Sequence, residues 1–151
     1  MANRNPVCDK IFTSEGLLCS TEEETLAAGR ALAEIVGPGV TLALDGPLGA
    51  GKTCFVKGLA EAMGENPAAV SSPTFPIVHE YLGGALVHLD FYRIESEAEL
   101  DELGIDDSLS SPGVRVIEWA AKFPHALPAT AWRLVFTIEG DARRIRGGRP
   151  E

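Results

Sequence analysis

Basic side chains are scarce in this chain. Lys and Arg number 13 against 22 Asp and Glu, a formal net charge of −9 over 151 residues. That balance argues against an open basic surface, so any contact with nucleic acid is expected to be indirect or confined to a local patch. Cysteine is scarce too. Cys8, Cys19 and Cys54 are odd in number and form no C-x-x-C pair, which fits a reduced, cytoplasmic compartment. No apolar run approaches the length of a membrane span, and Met1 to Lys10 lacks the apolar core of a signal peptide. There is no internal repeat. What remains, with 45% apolar residues, suffices for one globular domain with a real core.

One string stands out. Gly46-Pro47-Leu48-Gly49-Ala50-Gly51-Lys52-Thr53 is G-x-x-x-x-G-K-[ST], the phosphate-binding loop of nucleotide triphosphatases. An apolar run, Val40 to Leu44, leads into it. A helix-like stretch from Lys52 to Met63 leads out, with Phe55, Leu59 and Met63 on one face. A loop between strand and helix can aim several N–H groups at one phosphate, and the helix N-terminus adds partial positive charge. Glycine stands where a Cβ would block that approach. Lys52 is expected to reach the β- and γ-phosphates, and the Thr53 hydroxyl to bind Mg²⁺. Cys54 reads as a small helix residue rather than a nucleophile. No N-K-x-D string exists, so guanine selectivity has no support.

Along the chain, residues 1–14 read as a loose lead-in, 15–140 as the P-loop domain and 141–151 as a basic tail carrying Arg143, Arg144, Arg146 and Arg149. Ser20-Thr21-Glu22-Glu23 reads as a capping box opening a helix that Gly37-Pro38-Gly39 ends. Pro67 to Pro76 reads as a loop. Ile77 to Leu82 and Ala85 to Phe91 read as strands of a hairpin turning at Gly83-Gly84. Glu95 to Leu103 reads as a short acidic helix, and Val114 to Trp119 and Ala131 to Ile138 as further strands. The fold expected is α/β: a P-loop NTPase-like mixed sheet with flanking helices in a single domain.

Hydrolysis also needs charge neutralisation by Mg²⁺ and a positioned water. Two acids end apolar strands: Asp90 after Leu86-Val87-His88-Leu89, and Glu118 after Val114-Arg115-Val116-Ile117. Ligands of open α/β sheets sit beyond the carboxyl ends of parallel strands, so both carboxylates are placed to face the metal and γ-phosphate. Thr74, in the loop before the Asp90 strand, is placed to sense the γ-phosphate or Mg²⁺. His79 and His88 would face each other across the hairpin. No third ligand accompanies them, so a structural role is expected. Asp101-Glu102-Leu103-Gly104 matches D-x-x-G but sits in a helical stretch and is discounted. Glu95 to Asp107 holds seven acids and no base, either a solvated face or a partner surface.

In order, Leu48 to Thr53, Ser72-Pro73-Thr74-Phe75 with Glu80-Tyr81, His88-Leu89-Asp90-Phe91-Tyr92-Arg93 and Glu118-Trp119 resemble the TsaE family, the bacterial ATPases of tRNA threonylcarbamoyladenosine biosynthesis. The likeness runs from about Ser20 to Arg144. It implies a small mixed-sheet ATPase that works with TsaB and TsaD in modifying the adenosine beside the anticodon; the short chain has no evident lid, so weak activity alone is expected, and the charge of −9 leaves contact with tRNA to that complex. It implies ATP and Mg as ligands. Gly49, Ala50, Gly51, Lys52, Thr53 and Cys54 would wrap the phosphates, Thr53 and Glu118 would hold Mg²⁺, and Asp90 would contact nucleotide or metal-bound water. Glu22 would lie near the nucleotide, and Arg143 or Arg144 would match a C-terminal arginine. Lys52, Asp90 and Glu118 are the catalytic candidates. Pro47, Cys54 and Pro76 depart from the family's usual Asp, Thr or Ser, and Thr. A small-molecule P-loop kinase and a non-catalytic nucleotide-sensing adaptor are the alternatives. The first would need an arginine-bearing lid, whereas the stretch after Asp90 is acidic.

Overall fold

Seven strands form one sheet in the computed structural model, which describes residues 5–71 and 77–150. Thr74, expected to sense phosphate or metal, lies outside the described residues, as do Ser72, Pro73, Phe75 and Pro76. The strands are β1 (Leu17–Cys19), β2 (Thr41–Asp45), β3 (Val78–Tyr81), β4 (Leu86–Asp90), β5 (Val114–Glu118), β6 (Trp132–Glu139) and β7 (Ala142–Gly148). Their order is β1-β7-β6-β2-β5-β4-β3. The central strands β6, β2, β5 and β4 run parallel, and β3, β7 and β1 pair antiparallel outside them. The fold is mixed α/β and P-loop NTPase-like, as expected.

The central strands read as near-continuous apolar runs because both faces are covered. Period-two alternation splits each one. Leu42 and Leu44 of β2, Leu86 of β4 and Val114 and Val116 of β5 join one cluster with helices α1 (Pro6–Ile11), α2 (Glu22–Ala33) and α3 (Lys52–Met63). Ala43, Val87, Leu89 and Ile117 join the other, with Phe91, Ile94, Leu100, Ile105 and Phe123. By the same alternation His88, Asp90 and Glu118 fall on the α3 face. That alternation aims the candidate acids at the loop that opens α3.

α2 and α3 pack backbone to backbone through two glycines. A Cβ on Gly58 would fall 2.0 Å from the Leu26 carbonyl oxygen, and one on Gly29 would fall 2.1 Å from that of Phe55. Alanine at Gly58 gains about 1 kcal/mol of helix propensity, but overpacking costs about 1–3 kcal/mol or more. Gly58→Ala is therefore expected to be net destabilising. A thermal melt checks this: an unchanged or raised Tm would show that the two helices can separate without loss.

The outer parts of the chain differ from the sequence reading. The expected loose lead-in holds α1, capped by the Asn5 side chain, with Cys8 and Ile11 buried. The expected basic tail is β7, which pairs with β6 on one side and β1 on the other. The packed body thus runs from Pro6 to Gly148 rather than over 15–140. A helix of six residues is too short to show periodicity, and in β7 only Ile145 is buried, so its arginines masked a strand. The capping box also slips by one residue. The Thr21 hydroxyl accepts from the Glu24 N–H at 3.2 Å, and the Glu24 carboxylate accepts from the Ser20 N–H at 2.7 Å. The acidic stretch forms α4 (Glu97–Glu102) and α5 (Asp106–Leu109). It is anchored by buried Leu100 and Ile105 while its carboxylates are mostly exposed.

Candidate functional site

The loop between β2 and α3 turns through Gly46, Gly49 and Gly51, whose φ values are 151°, 78° and 97°. At Gly46 a Cβ would also fall 2.4 Å from the Phe136 carbonyl oxygen, so only glycine fits. α3 then begins differently from α2, the other helix of its length. α2 has the Thr21 cap and three glutamates in its first turn. α3 starts at Gly51 with no side-chain cap and no acid in its first turn. The N–H groups of its first turn have no intrahelical acceptor, and the helix dipole there favours an anion. From β7, Arg143 Nε donates to the Gly49 carbonyl at 2.8 Å and braces the loop. Arg144, the other C-terminal arginine considered, turns away to Glu139 and the Glu15 carbonyl.

Lys52 is 4% exposed. Its ammonium donates to the carbonyls of Gly46 and Pro47 and lies 3.8 Å from the ring centroid of Trp119. Burial lowers its pKa, against the attraction of Glu118, Asp90 and Asp45. A desolvated cation whose acceptors are neutral carbonyls is poised to take an anionic oxygen. Trp119 holds a left-handed backbone, φ 58°, which is a costly conformation for a bulky residue. Its ring stands over Lys52 and against Tyr92, with centroids 4.9 Å apart.

The two acids stand side by side, because Asp90 and Glu118 are register partners at the ends of β4 and β5. Glu118 is 2% exposed. Its Oε1 and Oε2 lie 3.1 and 3.2 Å from Thr53 Oγ1, and Oε2 lies 2.6 Å from His88 Nε2. Asp90 is buried as well and accepts the Tyr92 N–H at 2.8 Å. Thr53 and Glu118 thus present hard oxygen donors at one point, the donor chemistry Mg²⁺ takes. Among the described residues there is no group of three or more His, Cys, Asp or Glu that could cage a metal.

These groups line one cleft of about 470 Å³. Residues 48–54, Asp90, Glu118, Trp119, Tyr92, Arg93 and Glu22 form its walls. Lys52, Asp90, Glu118, Glu22 and the 49–54 segment therefore meet in one place, while Arg143 and Arg144 do not line it and Thr74 lies outside the described residues. Glu22 enters through α2, where its carbonyl oxygen accepts from the Cys54 thiol at 3.6 Å. Burial and the nearby Glu22 carboxylate push that thiol's pKa up, as suits a helix residue rather than a nucleophile. His79 and His88 do face each other across the hairpin; His79 Nδ1 pairs with Tyr81 Oη at 3.2 Å and His88 Nε2 with Glu118 Oε2 at 2.6 Å. Sequence reasoning assigned no site role to His88, Trp119 or Tyr92. The available signal was spacing, since His88 sits two residues before Asp90 and so shares its face.

The family model for Threonylcarbamoyl adenosine biosynthesis protein TsaE matches residues 19–145, from β1 into β7. The chain belongs to the TsaE family. The TsaE protein of Bacillus subtilis is 43% identical over 124 residues, covering 81% of this chain and 77% of that one. The TsaE protein of Mycobacterium leprae is 36% identical over 127 residues, covering 77% and 78%. The crystal structure of YdiB from Bacillus subtilis superposes with a TM-score of 0.72 at 33% identity, covering 89% of this chain and 84% of that one. Membership ties the chain to threonylcarbamoyladenosine modification of tRNA. The cleft described above lies wholly within the matched segment.

Proposed function

We propose that the chain is a Mg²⁺-dependent ATPase subunit that supports threonylcarbamoyl transfer to the adenosine next to the anticodon of tRNA, acting with TsaB and TsaD. The observation that carries this reading is the convergence of Lys52, Thr53 and Glu118 at the uncapped start of α3. In this reading the N–H groups of the loop and of the first turn of α3, from Gly49 to Cys54, wrap the phosphates. Lys52 leaves the carbonyls of Gly46 and Pro47 for the β- and γ-phosphates. Thr53 and Glu118 are the oxygen ligands of the metal. Mg²⁺ held there would supply positive charge against the phosphates. Asp90, one strand further along the sheet, would contact the nucleotide or a water beside the metal position, and either Asp90 or Glu118 would align the attacking water. Water adds to the γ-phosphorus, the bond to the β-phosphate oxygen breaks, and ADP and inorganic phosphate leave.

Partner dependence follows from the shape of the site. Leu48 at the loop tip and Tyr92 at the cleft wall are exposed, so water reaches the region around the γ-phosphate position unless something covers it. The expected outcome is slow ATP hydrolysis by the chain alone and severalfold faster hydrolysis with the TsaB–TsaD pair. Steady-state phosphate release, measured with and without the pair, checks this. Equal rates together with no association under any nucleotide condition would defeat the partner assignment even if hydrolysis persisted. The net charge of −9 agrees with contact to tRNA through the complex rather than directly. Among the described residues no helix is long and apolar enough to cross a membrane.

A further inference from the structure

We propose that His88 is a positioning residue for Glu118, donating Nε2–H to one carboxylate oxygen so that the carboxylate stays turned toward Thr53 and the metal position. The inference deepens the ATPase reading and rests on it.

The placement comes from the sheet. In the parallel β4–β5 pair Asp90 is opposite Glu118 and His88 is opposite Val116. His88 therefore sits one alternation back from the acids on the α3 face, beneath the Glu118 carboxylate. Its ring is 0% exposed, and Nε2 is 2.6 Å from Glu118 Oε2. The proposal assigns the hydrogen of this bond to Nε2, with the carboxylate oxygen as acceptor. The ring's other nitrogen, Nδ1, finds no hydrogen-bond partner among the described residues. A fully buried imidazole with one satisfied nitrogen is a poor core residue, because an apolar side chain would avoid the unmet polar group. The bond to Glu118 is what the imidazole offers that leucine does not. Among the described residues the only hydrogen-bond partners of that carboxylate are Thr53 and His88. Thr53 is the group that must share its oxygen with a metal, so His88 is the anchor that remains. Hydrogen-bonded ligand carboxylates of this kind depend on their outer partners.

The test compares three substitutions in the full chain. His88→Leu fills the space without a donor. His88→Asn is polar but too short to reach Glu118. His88→Gln can place an amide N–H near the Nε2 position. The main readout is Mn²⁺ affinity in the presence of ADP, followed by electron paramagnetic resonance. Affinity for a fluorescent ATP analogue in EDTA and the Tm are measured alongside. Mn²⁺ affinity is expected to fall by about 10–100-fold in the Leu and Asn variants. It should stay close to wild type in the Gln variant, with metal-free nucleotide binding unchanged in all three. Wild-type Mn²⁺ affinity in His88→Leu, or equal losses in Asn and Gln, would overturn the inference. If His88→Leu does not fold, the Asn and Gln pair decides alone. If the wild-type chain binds no Mn²⁺ with ADP and hydrolyses no ATP, the functional reading falls first and takes the inference with it.

Discussion

ATP turnover by Lys52→Ala should fall by about 10²-fold or more, the usual consequence of removing one preorganised charge that faces the transferring phosphoryl group. The ammonium is inside the protein and aimed by its surroundings: burial strips its water, Trp119 covers it, and the carbonyls of Gly46 and Pro47 hold it at the loop. Among the described residues, no other lysine stands in the loop or the first turn of α3. Lys57 lies more than a turn further along α3, and Arg143 is engaged by the Gly49 carbonyl. Thermal unfolding separates this loss from misfolding. Burial is the largest influence on Lys52 and outweighs the attraction of Glu118, Asp90 and Asp45. A variant that still melts cooperatively near the wild-type Tm shows that the loss is one of charge at the site and not of fold. Near-wild-type hydrolysis by a folded Lys52→Ala would sink the site assignment.

How far the sequence exposed this site follows from which contacts are local. The loop is one string with fixed spacing, and the glycines that turn it are those whose φ is positive. β2, β4 and β5 are buried on both faces, so each appears as an apolar run ending in a readable acid. The two acids could be placed at strand ends, and the register then sets them side by side. Contacts that depend on pairing across long separations were hidden. Arg143 reaches Gly49 only because β7 returns beside β6, and the string Ala-Arg-Arg-Ile-Arg-Gly-Gly does not announce a strand.

His88 marks the same limit within the site. Its hairpin partner His79 was readable from a short turn, but its functional contact runs to Glu118 on the neighbouring parallel strand. Parallel pairing is fixed by the crossover between β4 and β5, which no local pattern specifies. α1 was missed for a different reason. Its stability comes from docking Cys8 and Ile11 into the core, because a helix that short is not stable by itself.

The second large effect concerns the metal. Glu118→Gln should raise the Mg²⁺ concentration needed for half-maximal turnover by about 10–100-fold, and Thr53→Ala should shift it in the same direction. The glutamine keeps the size of the side chain, and its amide oxygen can still accept from His88 or Thr53, so the end of β5 should stay in place. What it loses is the negative charge, which a hard divalent ion needs most where few protein ligands are available. Thr53→Ala leaves the charge and removes the neighbouring oxygen instead. If both residues bind the metal, each variant should recover part of its activity at high Mg²⁺ while nucleotide affinity in EDTA stays at the wild-type level. Titrating Mg²⁺ against initial rates at saturating ATP reads this directly. A Glu118→Gln variant with a collapsed rate at every Mg²⁺ concentration and an unchanged midpoint would remove Glu118 from the metal shell. The carboxylate would then be the group that orients the attacking water, and Asp90, buried beside it at the end of β4, would become the acid to test as the metal's partner.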